Sequence, residues 1–198
     1  MMSAVEYFQF VLAPQMLIGL VVGVAVILVA LGLTIIFGLL DVINMSHGEF
    51  YALGAFISLA LASIGLPFWL LLVLIPLVML PIGYIVERGL IQRVFHTGDR
   101  HVTTLLLTFG LGLVLEDAFR LVFGPNPYKP ATPITGGIEA FGIFIPSYRL
   151  FLILIGAAII AAVAFIVYRT RLGAMVRAAA YDRHMAASLG VPVQHVYA

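Results

Sequence analysis

From Phe10 to Leu40 the chain runs without a single charged side chain. A helix needs roughly 20 apolar residues to cross a hydrocarbon core, because backbone groups in lipid must be satisfied within the segment itself. The run is long enough to cross with tilt, and Pro14 marks a lead-in, so a first span is expected near residues 16–40. Further apolar segments follow at about 50–64, closed by Gly65 and Pro67, and at 68–86, with Trp69 as an interfacial anchor. Two more lie at about 102–123 and 150–168. The second segment is short for a span unless it begins inside the polar stretch before it. Pro76 and Pro81 predict a kink in the third. Composition agrees: 10% of the residues are charged, against about 25% in an ordinary soluble domain. The expectation is an all-α, polytopic transmembrane helix bundle forming one membrane domain over residues 1–198.

Several chemistries are excluded. A formal net charge of +1 with no basic block offers nothing to nucleic acid. The absence of Cys removes disulfides, thiolate catalysis and Cys-based metal sites. The sequence contains no HExxH, no GxxxxGK[ST] and no nucleophile elbow. His47 and Glu49 are two apart and point to different faces of a helix, so they make no joint metal site. No metal and no cofactor are expected, and the chain is not expected to be an enzyme; any ATPase is another chain. The N-terminus MMSAVEYFQF lacks a positive region and precedes a run too long for a cleaved signal, so it is expected to be part of the mature protein.

Orientation follows from the arginines. The Glu87–His101 connection and the segment after Arg169 share one side if two spans separate them. Together they hold Arg88, Arg93, Arg100, Arg169, Arg171, Arg177 and Arg183, whereas the loop between holds mainly Lys129 and Arg149. The positive-inside rule makes the Arg-rich segments cytoplasmic and the N-terminus external. It also puts Asp41–Glu49 at the cytoplasmic boundary. On the other side, Gly136-Gly137 followed by IEAFGIFIP suggests a hairpin or structured loop outside the bilayer.

Four stretches carry candidate chemistry. In DVINMSHGEFYALGA, residues 41–55, Asn44 and His47 are three apart and can share a helix face, while Gly48 and Gly54 permit close packing. This stretch is either a hinge beside a pathway or a direct substrate contact. Glu116 and Arg120 are four apart near the outer end of the fourth span, where a structural ion pair is the simpler role. Gly19 and Gly23 form a G-x-x-x-G. Thr34, Thr103, Thr104 and Thr108 line a polar path or bond to their own helix backbone. At the C-terminal end a helix is expected from about Leu172 to Leu189, with Gly190 as a left-handed stop and Pro192 beyond. Its small residues and charges suit either a docking surface or an amphipathic helix on the membrane.

GLTIIFGLLDVINMSHGEFYALGAF resembles the signature of branched-chain amino acid ABC permeases of the LivH type. The resemblance is carried by Val42, Ile43, Asn44, His47, Gly48, Glu49, Tyr51 and Gly54. RTRLGAMVRAAAYDRHMAASLGVPVQHVYA is similar to that family's cytoplasmic loop that contacts the ATPase, through Gly173, Arg177, Ala178, Asp182, Ala186, Leu189 and Gly190. LEDAFRLVFGPNP and GIFIPSYRLF are weaker matches between the two. The resemblance implies the permease subunit of an ATP-driven importer in the bacterial inner membrane, working by alternating access. It implies a second permease subunit, cytoplasmic ATP-binding subunits and an extracytoplasmic substrate-binding protein as partners, besides membrane lipid. Residues 169–195 would be the ATPase-coupling segment, and Asn44 to Gly54 the pathway or hinge. Members of that family continue with further spans, so the chain reads as the N-terminal portion of a permease. Two alternatives stand beside this: a stand-alone channel or secondary carrier for a small polar solute such as urea or an amide, and a non-transporting fragment.

Overall fold

The apolar runs are helical, and lipid rather than water explains their surfaces. In the computed structural model, which describes residues 3–40, 43–94, 100–124, 132–140 and 142–192, large apolar side chains such as Leu80, Leu121 and Phe165 face outward. Asp41, Val42, Lys129 and residues 193–195 lie outside the described residues. The chain opens on α1 (Ala4–Tyr7). A reciprocal capping box starts it: the Ser3 N–H donates to Glu6 Oε2 at 2.7 Å, and the Glu6 N–H to Ser3 Oγ at 3.2 Å. A π-helical turn, Phe8–Leu12, leads into α2 (Ala13–Leu40). The segment expected to be a lead-in marked by Pro14 is thus itself helical, and α2 begins at Ala13. The widened turn, closed by the Ala13 N–H on the Phe8 carbonyl, lies just before Pro14 and accommodates a ring that would crowd a regular turn.

Then come α3 (His47–Ser63) and α4 (Phe68–Val86), the latter continuous through Pro76 and Pro81. A second π-helical turn, Glu87–Ile91, and the short α5 (Gln92–Val94) follow, then α6 (Arg100–Phe123). Strands β1 (Gly137–Ala140) and β2 (Ile143–Pro146) precede α7 (Ser147–Arg169), α8 (Arg171–Tyr181) and α9 (Arg183–Ser188). Among the described residues, three helical runs are long and apolar enough to cross a membrane: Phe8–Gly38, Phe68–Val94 and Ser147–Arg169. At 17 residues, α3 rises roughly 25 Å and sits at the short end of the spanning range.

The chain divides into two compact units, one within Met1–Leu31 and Ala131–Ala174, the other within Gly32–Pro130 and Met175–Ala198. In the first, β1 and β2 pair antiparallel, with Gly137 opposite Pro146 and Ala140 opposite Ile143. Gly142, at φ +76°, takes the left-handed conformation that the tight reversal needs. Close helix approach in this unit is made at Gly156 of α7. A Cβ there would overlap Val24 Cγ1 of α2, whereas Gly19 and Gly23 have open space around them.

The second unit packs α3 against both α4 and α6. Phe56 of α3 stacks on Phe123 with ring centroids 4.4 Å apart and meets the tilted ring of Phe119 at 4.8 Å. The largest fully buried side chains among the described residues are nevertheless polar: Thr104, Thr108 and Ser46. In a lipid-facing protein apolar groups need no interior, and polar groups are the ones that seek shelter inside.

Candidate functional site

Those three residues define a polar knot within the second unit. The loop entering α3 is an Asx turn: Asn44 Oδ1 accepts from the Ser46 N–H at 3.0 Å and from Ser46 Oγ at 2.7 Å. Asn44 thus precedes the helix instead of sharing its face with His47. Its side-chain oxygen competes with helix formation and ties the turn down. Thr108 of α6 holds the loop from the other side. Its Oγ1 accepts from the Met45 N–H at 3.1 Å, and its hydroxyl proton has the carbonyls of Thr104 (2.9 Å), Leu105 (3.1 Å) and Ile43 (3.2 Å) within reach. Thr104 turns its hydroxyl to the His101 carbonyl at 3.1 Å.

Bare backbone on α2 lets the knot close. A Cβ on Gly32 of α2 would lie 3.1 Å from both Cε1 and Nε2 of His47, so the imidazole is pressed on bare backbone. A Cβ on Gly112 of α6 would stand 3.7 Å from Ser46 and 3.8 Å from Glu49 Cγ. His47 and Glu49 thereby address different helices, α2 and α6. Tyr51 is exposed, and a Cβ added to Gly48 would have nothing within 4 Å. One on Gly54 would meet only Ile75 Cγ2, at the ordinary distance of 3.8 Å. Of these four glycines only Gly32 is approached tightly; Gly112, like Gly54, has its neighbours at ordinary contact distance.

Glu116 and Arg120 pair at 2.5 Å near the end of α6, with side chains 44% and 65% exposed. An exposed i,i+4 pair of this kind contributes at most about 0.5 kcal/mol.

The C-terminal segment is two helices where periodicity predicts one. Asp182 breaks it: its backbone is extended (φ −151°, ψ 107°) and its carboxylate accepts from the Met185 N–H at 2.9 Å, making it the N-cap of α9. Ala186 folds inward with Ala179, against Val191, while Arg177 and Ala178 stay exposed. Tyr181, Met185 and Leu189 are also exposed. Gly190, at φ +84°, ends α9 in a Schellman motif, in which the Val191 N–H reaches the Ala186 carbonyl at 3.1 Å. Gly173 lies against the end of α7, where a Cβ would overlap the Val167 and Ile166 carbonyl oxygens. Thr170, which carried no motif, is the joint. Its hydroxyl donates to the Ile166 carbonyl at 2.6 Å and accepts from the Gly173 N–H at 3.1 Å, so it closes α7 and caps α8 together. A Thr three residues before the first helical glycine is the signal that marks it.

Replacing Asp182 by Ala is expected to lower stability by about 1 kcal/mol and by Asn to leave it nearly unchanged. Chemical unfolding in detergent checks both.

The chain is thus an all-α, multi-pass membrane protein whose ordered features are a polar knot and a double-helix segment. Residues 15–198 match the family described as "Branched-chain amino acid transport system / permease component", and the chain belongs to that family of LivH-type permeases, proteins of the bacterial inner membrane. It is similar to the high-affinity branched-chain amino acid transport system permease protein BraD of Pseudomonas aeruginosa, 27% identical over 93% of this chain and 64% of that protein. It is also similar to the LivH permease proteins of Salmonella typhimurium and Escherichia coli, each 26% identical over 98% of this chain and 66% of theirs. The chain therefore spans about two thirds of the length of these relatives. No solved structure matches it.

Proposed function

We propose that the chain serves as a permease subunit of an ATP-driven importer for branched-chain amino acids. The observation that supports this reading is the match along 15–198 to the family of branched-chain amino acid transport system permease components, which covers both the knot and the described C-terminal helices. Its partners are a second permease subunit, two cytoplasmic ATP-binding subunits and an extracytoplasmic binding protein. The Arg-rich segments face the cytoplasm, by the positive-inside rule.

Residues 169–195 form the coupling segment. Arg177 and Tyr181 on α8, and Met185 and Leu189 on α9 and its C-cap, are exposed and give the segment a mixed charged and apolar surface for the ATPase. Ala186, Gly173 and Gly190 shape the segment from within. Closure of the ATPases moves it as a rigid body, and the spans rock to open the path on the other side. The knot at Asn44–Glu49 is the hinge, because its bonds run to backbone and to neighbouring helices. No covalent chemistry is done on the cargo.

The test is leucine uptake into vesicles carrying the full-length protein with its partners. Uptake is expected only with ATP hydrolysis. Gradient-driven uptake without any ATPase subunit overturns the reading in favour of a stand-alone carrier. Arg177→Glu combined with Asp182→Arg is expected to release the ATPase and reduce transport at least tenfold. Intact association and transport in that variant would remove the coupling assignment.

A further inference from the structure

A groove of about 740 Å³ runs along α4 into the π-helical turn that follows, lined by Pro76, Met79, Leu80, Gly83, Tyr84 and Glu87. It is apolar except at one end. There Glu87 Oε1 accepts from Gln92 Nε2 at 2.8 Å, while Oε2 is covered by protein and meets no donor among the described residues. The adjacent Arg88 does not pair with it; the guanidinium lies 5.0 Å above the Tyr84 ring instead. A carboxylate oxygen kept from water without a donor is destabilised and calls for a cation. Glu87 lines the groove at this end, so a cation seated there meets its carboxylate.

The dimensions say which cation. Pro76 lies at the middle of α4, whose bounds are Phe68–Val86, and the rise from it to Glu87 is roughly 16 Å. That is one leaflet of a hydrocarbon core roughly 30 Å thick. The groove is therefore apolar over the depth of one acyl layer and charged where headgroups lie. Arg88 and Tyr84 stand at the same level, a cation and an amphipathic ring suited to the interface. Adjacent negative and positive side chains complement a zwitterion.

We infer that this groove seats a phospholipid with a primary-amine headgroup. The chain lies along Pro76, Met79, Leu80 and Gly83, the ammonium donates to Glu87, and the phosphate meets Arg88. A quaternary ammonium has the same charge but no N–H to donate, so it is the informative competitor.

The experiment uses the protein purified from membranes and native mass spectrometry of retained lipid. Phosphatidylethanolamine, phosphatidylcholine and phosphatidylglycerol of identical acyl chains are compared. Phosphatidylethanolamine is expected to be retained about tenfold better than phosphatidylcholine, the scale of one charge-assisted hydrogen bond. Glu87→Gln should erase that preference, and Arg88→Gln should weaken all three. Equal retention of the two zwitterions by the unaltered protein overturns the inference, whether or not a variant folds. A further arm uses the absence of cysteine from these 198 residues. A photocrosslinker on Met79→Cys should capture lipid, and capture of a polypeptide at that position would assign the groove to a protein partner and overturn it as well.

Discussion

Gly173→Ala is expected to disrupt the join between α7 and α8 and to give the largest loss of any single methyl among the described residues. The added Cβ would overlap the carbonyl oxygens of both Val167 and Ile166. Both obstacles are backbone, already bound into the last turn of α7, so neither can rotate away. The φ at Gly173 is not in the left-handed region, so crowding alone sets the cost. Overpacking against side chains typically costs about 1–3 kcal/mol, and against fixed carbonyls the loss should reach or exceed the upper end of that range. Displacing the backbone would also pull the Gly173 N–H from Thr170 Oγ1 and uncap α8. Gly48→Ala is the control. Nothing lies within 4 Å of its Cβ position, and alanine in a helix gains up to about 1 kcal/mol over glycine. Thermal unfolding in detergent should separate the two variants by several degrees, and a Gly173→Ala protein as stable as Gly48→Ala would contradict the packing described at this join.

Positions of apolar helices are legible in the sequence because lipid imposes a length and forbids charge, a constraint that acts residue by residue. Features that depend on approach between helices are less legible. G-x-x-x-G at Gly19 and Gly23 is the pattern that invites attention, yet the contact is made by Gly156 against Val24. Gly32 opens the family-like stretch but offers no spacing pattern of its own, and its role appears only where His47 from the loop and start of α3 returns to lie against it. The threonines show the division most clearly. Bonding to their own helix backbone is a local rule and accounts for the hydroxyl protons of Thr104 and Thr108. The lone pair on Thr108 that takes the Met45 N–H serves a residue 63 positions away, and no local pattern contains it. Asp182 differs again. Its capping chemistry is local and readable, but the apolar period runs straight through it, and a carboxylate offering an extra acceptor outweighed the period.

Thr108→Val should loosen the knot while preserving its shape. Valine matches threonine in volume but offers no oxygen, and the site is 1% exposed, so water does not replace it. The Met45 N–H then loses its acceptor; Met45 itself is exposed, so the cost is that of one lost hydrogen bond, about 0.5–1.5 kcal/mol. In a chain of this size that corresponds to a fall in Tm of roughly 2–4 °C per kcal/mol. Thr108→Ser keeps the hydroxyl and gives up one methyl, worth about 0.8 kcal/mol. A purely volumetric role would make valine the milder change; a hydrogen-bonded latch makes serine the milder one. The same pair of variants bears on the hinge. If the loop at Ile43–Ser46 must keep its place on α6 while the spans move, Thr108→Val should slow uptake several-fold at a temperature where the protein remains folded. Serine should then transport near the unaltered rate. Equal transport by the two, with valine destabilised as expected, would leave Thr108 a structural clasp and move the hinge elsewhere in the chain.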